Sequence, residues 1–408
     1  MEILEGGVTS PCGFKAAGVT AGLKRSGAPD MAMIYSELPC KVVAAFTSNL
    51  FAAAPVEYDR GVLAKGGVFH AVVVNSGNAN ACTGAAGLAD AAATAAEAAK
   101  LLGIAHDEVL VSSTGRIGVP MPMDIILGGV RKAVPALSED GGAAAAQAIM
   151  TTDTRPKSFK VEIMVGGKKV TVGGMTKGAG MIAPKMRPAR PPQATMLSYL
   201  TTDANIEKRA LQQALEQALD LSYNRITVDG DTSTNDTFML IANGAAGNPE
   251  IKAGSTEAAL FTEAVTAVAG RLAREMVLDG EGVSRFVEVN VTGAPSDREA
   301  RTVAEAIANS ALCKTAWFGG DPNWGRIVCA AGYSGVQFDP KKVNLDLAGM
   351  PAVRNGMDAG VPESELAKAV NVREFSIDLD LGCGNGKFTV WTCDLTHRYV
   401  EINADMHT

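Results

Sequence analysis

Apolar and polar positions in this chain follow two different periods, which take turns along its length. Val68–Val74 is a short apolar run ending at the turn-rich Asn75-Ser-Gly-Asn-Ala-Asn80, and reads as a strand closing on a loop. An alanine-rich stretch, roughly Leu88–Leu102, is filled with strong helix formers. Glu108–Ser112 reads as a strand that ends at Ser113-Thr-Gly-Arg-Ile-Gly118. Lys160–Val165 and Lys169–Val172 flank Gly166-Gly167, a hairpin signal. Leu211, Ala214, Leu215, Ala218 and Leu219 recur at helical spacing, and Gly254–Leu278 carries a longer pattern of the same kind. Val287, Val289 and Val291 fall on one face of an alternating Arg285–Thr292. Ser296-x-x-Glu299 is a capping box that predicts a helix through Ala311. Phe375, Ile377, Leu379 and Leu381 alternate in a late strand, and Gly384-Asn-Gly386 predicts a second hairpin with Lys387–Thr392.

Mixed hairpins and helices of this kind point to an α/β (mixed α+β) layered sandwich rather than a doubly wound sheet. At 408 residues the chain calls for one large or two medium domains. Its 47% hydrophobic and 20% charged residues are ordinary for a globular protein, while 44 glycines imply many tight turns. The net charge of −7 argues against a nucleic-acid binder, whose footprint should be basic. No apolar run is long enough for a transmembrane helix, and the Met1-Glu-Ile-Leu-Glu start has no signal-peptide character. A cytoplasmic location is the default expectation. The seven cysteines form no Cys-x-x-Cys pair and the four histidines show no ligand spacing, so no metal site is expected. So few histidines favour chemistry that needs none.

One junction offers such chemistry. Lys177-Gly-Ala-Gly-Met-Ile-Ala-Pro184 opens a turn that brings backbone and one cation together. Lys185-Met-Arg-Pro-Ala-Arg-Pro-Pro192 cannot be helix interior or central strand, because its prolines remove donors and fix φ. Thr195–Asp203 then reads as a strand. Threonine inside a chain lacks a base. At a freed N-terminus it carries one, an α-amino group with pKa of about 7.7–8.0, which is a recognised way to activate a hydroxyl. Ala194 is small enough to let the hydroxyl reach the carbonyl before it. The plainer reading is a Pro-rich loop followed by an ordinary strand.

Other segments carry weaker signals. Thr114 and Gly115, at the end of a strand, could aim a hydroxyl and an amide at one point, as the oxyanion of acyl transfer requires; a polar turn is the simpler alternative. Asp229-Gly-Asp-Thr-Ser-Thr-Asn-Asp236 is not an EF-hand, because Thr234 and Leu240 stand where glycine and glutamate are needed. It reads as a buried polar turn that positions other groups. Glu281, in Asp279-Gly-Glu-Gly282, is either a solvated loop acid or the holder of a substrate ammonium. Gly382-Cys-Gly-Asn-Gly-Lys387 lacks phosphate-loop spacing. The last residues, from Asn403 to Thr408, would ordinarily fray.

Taken together, Asn75–Cys82, Ser113-Thr-Gly115, Thr151-Thr-Asp-Thr154, Lys177–Pro184, Ala194-Thr-Met-Leu197, Thr227–Asp236, Asp321-Pro-Asn-Trp-Gly-Arg326 and Ile402-Asn-Ala404 resemble the ornithine acetyltransferase family of arginine biosynthesis, from end to end. The resemblance implies cutting between Ala194 and Thr195, giving an α chain 1–194 and a β chain 195–408. It implies acetyl transfer from N-acetylornithine to glutamate through an ester on Thr195, with Thr114 and Gly115 as the oxyanion hole. Thr151, Lys177, Thr195, Glu281, Asn403 and Thr408 are the implied substrate-binding positions. The implied fold is an α-β-β-α sandwich related to N-terminal-nucleophile amidases, with a smaller C-terminal subdomain, and the implied assembly is a heterotetramer of two α and two β chains. No cofactor is expected, with acetyl-CoA left open as a second donor. The Pro184–Ala194 segment is longer than the family's usual spacing, Ala179 stands where serine is common, and Met406 where an aromatic is. The rival readings are a self-processed amidase or aminopeptidase passing its acyl group to water, and a non-catalytic binding protein that stays uncut.

Overall fold

A computed structural model describes residues 1–188 and 196–405. Ala194, Thr195, Met406 and Thr408 lie outside the described residues. The described residues divide into two compact units, one built from residues 1–224 and 231–276 and the other from residues 225–230 and 277–405.

In the first unit the ladder runs Leu4–Glu5, Lys157–Val165, Lys168–Lys177, Leu197–Thr202, Thr237–Ala242, Met31–Phe46, Phe69–Asn78, Val109–Arg116. Met31–Phe46 serves two sheets. Its first part pairs with Phe14–Val19 and Phe69–Asn78, and its last part with Thr237–Ala242. The turn from one sheet to the other falls where the register shifts between Tyr35 and Cys40. Pro39, which has no N–H to give a ladder, sits in that break. Period-2 alternation then sets the layers. Ala32 and Ile34 face the other sheet, packing with Met175, Leu197, Tyr199, Met239 and Ile241. Met31 and Met33 face the opposite way, against Ala95 and Ala98 of helix Gly84–Leu102 and Ile126 and Val130 of helix Met123–Ala133. On the outer face of the second sheet, Leu272 of helix Thr256–Leu278 crowds Leu200 and Gly174. The order is helix, sheet, sheet, helix, the expected sandwich, and each aliphatic side chain fully buried in it contributes about 1.5–3 kcal/mol.

The second unit is a sheet ordered Met357–Asp358, Met350–Arg354, Asn344–Leu347, Glu374–Asp380, Phe286–Ala294, Gly386–Cys393. Val287, Val289 and Val291 share an apolar cluster with Ala300, Val303, Ala304 and Ile307 of helix Asp297–Ala308. The smaller C-terminal subdomain expected from the resemblance is this unit.

The Gly166-Gly167 hairpin and the capping box at Ser296 are present. Other expectations need correction. The helix opened by Ser296 stops at Ala308 rather than Ala311, because Ser310 caps a new helix, Ala311–Gly319, by accepting from the Cys313 N–H. The second hairpin does not form. Glu374–Asp380 and Gly386–Cys393 both pair with Phe286–Ala294, which lies between them. The glycine-rich connection crosses over that strand, with Leu381 and Cys383 N–H groups donating to Thr292 and Gly293 carbonyls. Finally, the apolar run at Val68–Val74 continues as strand through Asn78.

Candidate active site

The extension of that strand to Asn78 is where the site begins. Phe69–Asn78 runs parallel to Val109–Arg116, placing Ser76 opposite Thr114 and Gly77 opposite Gly115 before the register slips at Asn78. Gly115 has φ of 128°, and a Cβ there would lie 2.4 Å from the Gly77 carbonyl carbon. Only glycine fits this crossing. The polar side chains of the asparagine-rich segment are spent on fixing it. Asn75 Nδ2 donates to Asn78 O (2.8 Å), and Ser113 Oγ donates to Asn75 Oδ1 (2.6 Å). Asn235 Nδ2 reaches across from the polar turn to Ala79 O (2.6 Å) and Ser113 O (2.7 Å). Asn235 thereby confirms the expectation of a buried positioning turn.

Thr114, 1% exposed, receives a hydrogen bond from Lys177 Nζ at 3.2 Å. Lys177 is the last residue of strand Lys168–Lys177, and the next amide, Gly178 N–H, donates to Asp153 Oδ1 (2.7 Å). Asp153 also takes Lys157 Nζ on Oδ1 (2.7 Å) and Thr151 N–H on Oδ2 (3.0 Å). Burial alone would raise the Asp153 pKa. The Lys157 and Lys177 charges and the Gly178 and Lys157 hydrogen bonds outweigh it and hold the carboxyl down at about 2. Three residues far apart in sequence, Thr114, Thr151 and Lys177, thus meet in one bonded cluster. Lys157 also lines a cavity of about 690 Å³, with Arg155, Arg271, Glu139 and Asp140; Glu275 there pairs with Arg155 (2.8 Å) and Arg271 (2.9 Å).

A further loop packs on the same spot. The buried Asp30 carboxylate accepts from the N–H groups of Ala21 (2.6 Å), Gly22 (3.1 Å), Leu23 (2.6 Å) and Lys24 (2.9 Å). This sets Leu23 and Lys24 against Gly77. Lys24 Nζ donates to Pro29 O (2.7 Å), and burial pushes its pKa down, opposed by Asp30 and reinforced by the Lys177 charge.

In the second unit, Asn403 Nδ2 donates to Glu281 Oε2 at 2.8 Å. Glu281 is only 8% exposed, so the reading of it as a solvated loop acid is wrong. Nor is Asn403 in a frayed tail, since it stands in helix His397–Asp405. The sequence-proposed Ala194, Thr195 and Thr408 cannot be placed. Asp30, Lys24, Asp153, Lys157 and Asp236 were not singled out from sequence. Asp153 and Asp236 did lie inside quoted motifs, and a search for acids inside glycine- and threonine-rich runs would have raised them. Among the described residues no cluster of three or more His, Cys, Asp or Glu could hold a metal ion, and no helix is long and apolar enough to cross a membrane.

The ArgJ family model matches residues 15–408. An arginine biosynthesis bifunctional protein ArgJ from Symbiobacterium thermophilum is 48% identical, with 100% of both chains covered. The chain belongs to the ArgJ family. It is an enzyme, an acetyltransferase of arginine biosynthesis. A solved ArgJ from Bacillus halodurans is 41% identical, covering 52% of this ArgJ-family chain and 100% of its own, with a TM-score of 0.50. A solved ornithine acetyltransferase from Mycobacterium tuberculosis, complexed with ornithine, is 44% identical over 46% of this chain and 99% of its own, with a TM-score of 0.40.

Proposed function

We propose that this chain cuts itself between Ala194 and Thr195, and then carries acetyl from N-acetylornithine to glutamate as an ester on Thr195. The observation that carries the proposal is the Lys177–Thr114–Gly115 cluster. Because Thr114 Oγ1 accepts from Lys177 Nζ, its own O–H is left to donate, next to the Gly115 amide. A hydroxyl and an amide side by side suit a tetrahedral acyl oxyanion, and losing one such donor costs about 10²–10³ in kcat.

The steps follow. The Thr195 hydroxyl attacks the acetyl carbonyl while its proton passes to the freed α-amino group. The bond to the ornithine α-nitrogen breaks, that nitrogen takes the proton, and ornithine leaves. Glutamate's amine then attacks the ester and departs as N-acetylglutamate, restoring the hydroxyl. Acetyl is too small to supply much specificity, so the amino-acid end must. We assign Lys177 to a substrate carboxylate, Glu281 with Asn403 to an ammonium, and Thr151 and Thr408 to further substrate contacts. The word bifunctional in the relatives' name fits a second donor, acetyl-CoA; no cofactor is otherwise part of the proposal. A heterotetramer of two α (1–194) and two β (195–408) chains, in the cytoplasm, belongs to the same reading.

Intact mass with and without N-acetylornithine tests it. The expected result is two chains, the second starting at Thr195 and gaining one acetyl group with substrate. A single 42.1 kDa chain that never gains mass would refute it. Release of free acetate with no N-acetylglutamate would favour the amidase reading instead.

A further inference from the structure

Lys24 is a cation beside the oxyanion pair, and the steps above give it no task. One aspartate ties its loop to the site. The Asp30 carboxylate is spent on the N–H groups of Ala21, Gly22, Leu23 and Lys24, and the Asp30 carbonyl accepts from Ser76 N–H (2.9 Å). Ser76 stands opposite Thr114, and Gly77 opposite Gly115. A Cβ on Gly77 would lie 3.3 Å from Leu23 Cβ and 3.7 Å from Lys24 Cγ, so the lysine stem passes the strand at the level of the oxyanion pair. The charges of Lys177 and Asp153 reach its ammonium. Lys24 is half-buried, and its Nζ gives one hydrogen bond, to Pro29 O (2.7 Å). Lys157, by comparison, is matched by the Asp153 carboxylate at 2.7 Å. Among the described residues no carboxylate pairs with Lys24 in that way, and an ammonium has three N–H groups to give.

A half-buried ammonium with no counter-charge in contact suits an anion from outside the chain. The two amino acids that exchange acetyl differ in a way that supplies one. Each brings an α-carboxylate, which the reading above gives to Lys177. Ornithine then ends in an ammonium, whereas glutamate ends in a second carboxylate. We propose that Lys24 binds the side-chain carboxylate of the acceptor, glutamate, and so decides which amino acid collects the acetyl group. The inference rests on Thr114 and Gly115 being the oxyanion pair, since the lysine lies against their neighbour Gly77. Burial and the Lys177 charge both disfavour the Lys24 ammonium. A ligand carrying two carboxylates offsets that repulsion, and one ending in an ammonium adds to it. Lys24 therefore favours the incoming acceptor over the departing ornithine, whose ammonium the reading above gives to Glu281 and Asn403.

The test is Lys24→Met in the full chain, which keeps most of the stem and removes the charge. Transfer from N-acetylornithine is followed to glutamate and to glutamine, whose side chain has the same shape without the carboxylate. The expected variant has its KM for glutamate raised roughly 10–100-fold, with kcat and the KM for glutamine far less affected. Lys24→Arg, which keeps the charge, should hold on to most of the preference for glutamate. The preference is a ratio, so it is read correctly on whatever fraction of a variant is folded. A glutamate-to-glutamine preference that Lys24→Met leaves as in the wild type overturns the assignment, because a loop that only packs against the site would slow both acceptors alike. The underlying reading has its own control. Without glutamate, the wild type should pass label from free ornithine into N-acetylornithine. Absence of that exchange would refute the acetyl-enzyme, while the acceptor preference would still report on Lys24.

Discussion

Asp153 and Asp236 are both buried aspartates in the first unit, and they have been given opposite surroundings. Asp153 meets Lys157 and the N–H groups of Thr151 and Gly178, and its pKa is held down at about 2. No donor meets either Asp236 oxygen in good hydrogen-bond geometry, and burial drives its pKa well above the usual carboxylate value, against weaker lowering by its own amide, the Lys177 charge and the nearby Thr47. A carboxylate surrounded by donors fixes backbone: Asp153 pins the turn after Lys177 to the turn at Thr151. A carboxyl left without such donors fixes no backbone turn, and burial alone sets its charge state. One acid is bonded into the scaffold of the site, and the other is buried there without that bonding.

The largest expected effect comes from breaking the satisfied member. Asp153→Asn removes the carboxylate that the buried Lys157 meets at 2.7 Å. Removing one partner of such a pair costs about 3–5 kcal/mol. Urea unfolding of the variant should show that loss, with transfer activity falling as Lys177 loses its anchored turn. A loss under about 1 kcal/mol would mean the pair relaxes into water, as surface pairs do, and Asp153 would not be scaffold. Next in size is Thr114→Ala. It keeps the glycine crossing intact and removes one proposed oxyanion donor, so kcat should fall about 10²–10³-fold with little change in melting temperature. If one oxyanion hole serves both steps, cutting slows too, which a time course of chain masses would record. Unchanged rates in both would remove Thr114 from the site.

Much of this was legible in the sequence, and the reasons are local. The hairpin at Gly166-Gly167, the helix of Leu211–Leu219 and the valine alternation of Arg285–Thr292 depend on neighbours in sequence, and the structure keeps them. Thr114, Lys177, Glu281 and Asn403 were each named singly from the resemblance; that Thr114 bonds Lys177 and Glu281 bonds Asn403 is seen only in the fold. What was not legible is set by distant partners. The late hairpin fails because a strand from residues 286–294 inserts between its arms, which no turn signal announces. Val68–Val74 looked finished at Asn75 because asparagine and glycine usually end strands; here their side chains bond across to Ser113 and back to Asn78 O, and the ladder continues. Asp153 and Lys157 have the spacing of a helical ion pair, yet Lys157 begins a strand.

The smallest expected effect isolates Asp236 from catalysis altogether. On the proposed self-cleavage, Thr195→Ala stays a single chain, and Asp236 keeps the surroundings it has in the uncut fold. Its folded-state pKa is raised above the unfolded value of about 3.9. Between those two values the unfolded chain has released a proton that the folded chain keeps, so stability falls as pH rises. For one group the slope is about 1.4 kcal/mol per pH unit. The stabilisation is complete below pH about 4 and is lost as pH climbs towards the folded pKa. Asp236→Asn on the Thr195→Ala background should remove that slope, leaving a flatter curve of unfolding free energy as pH rises above about 4. Asp59, whose pKa burial also raises, remains in both proteins and cancels in the difference. Identical slopes would show that Asp236 ionises freely in the uncut fold, and the contrast with Asp153 would then be one of contacts without consequence for charge.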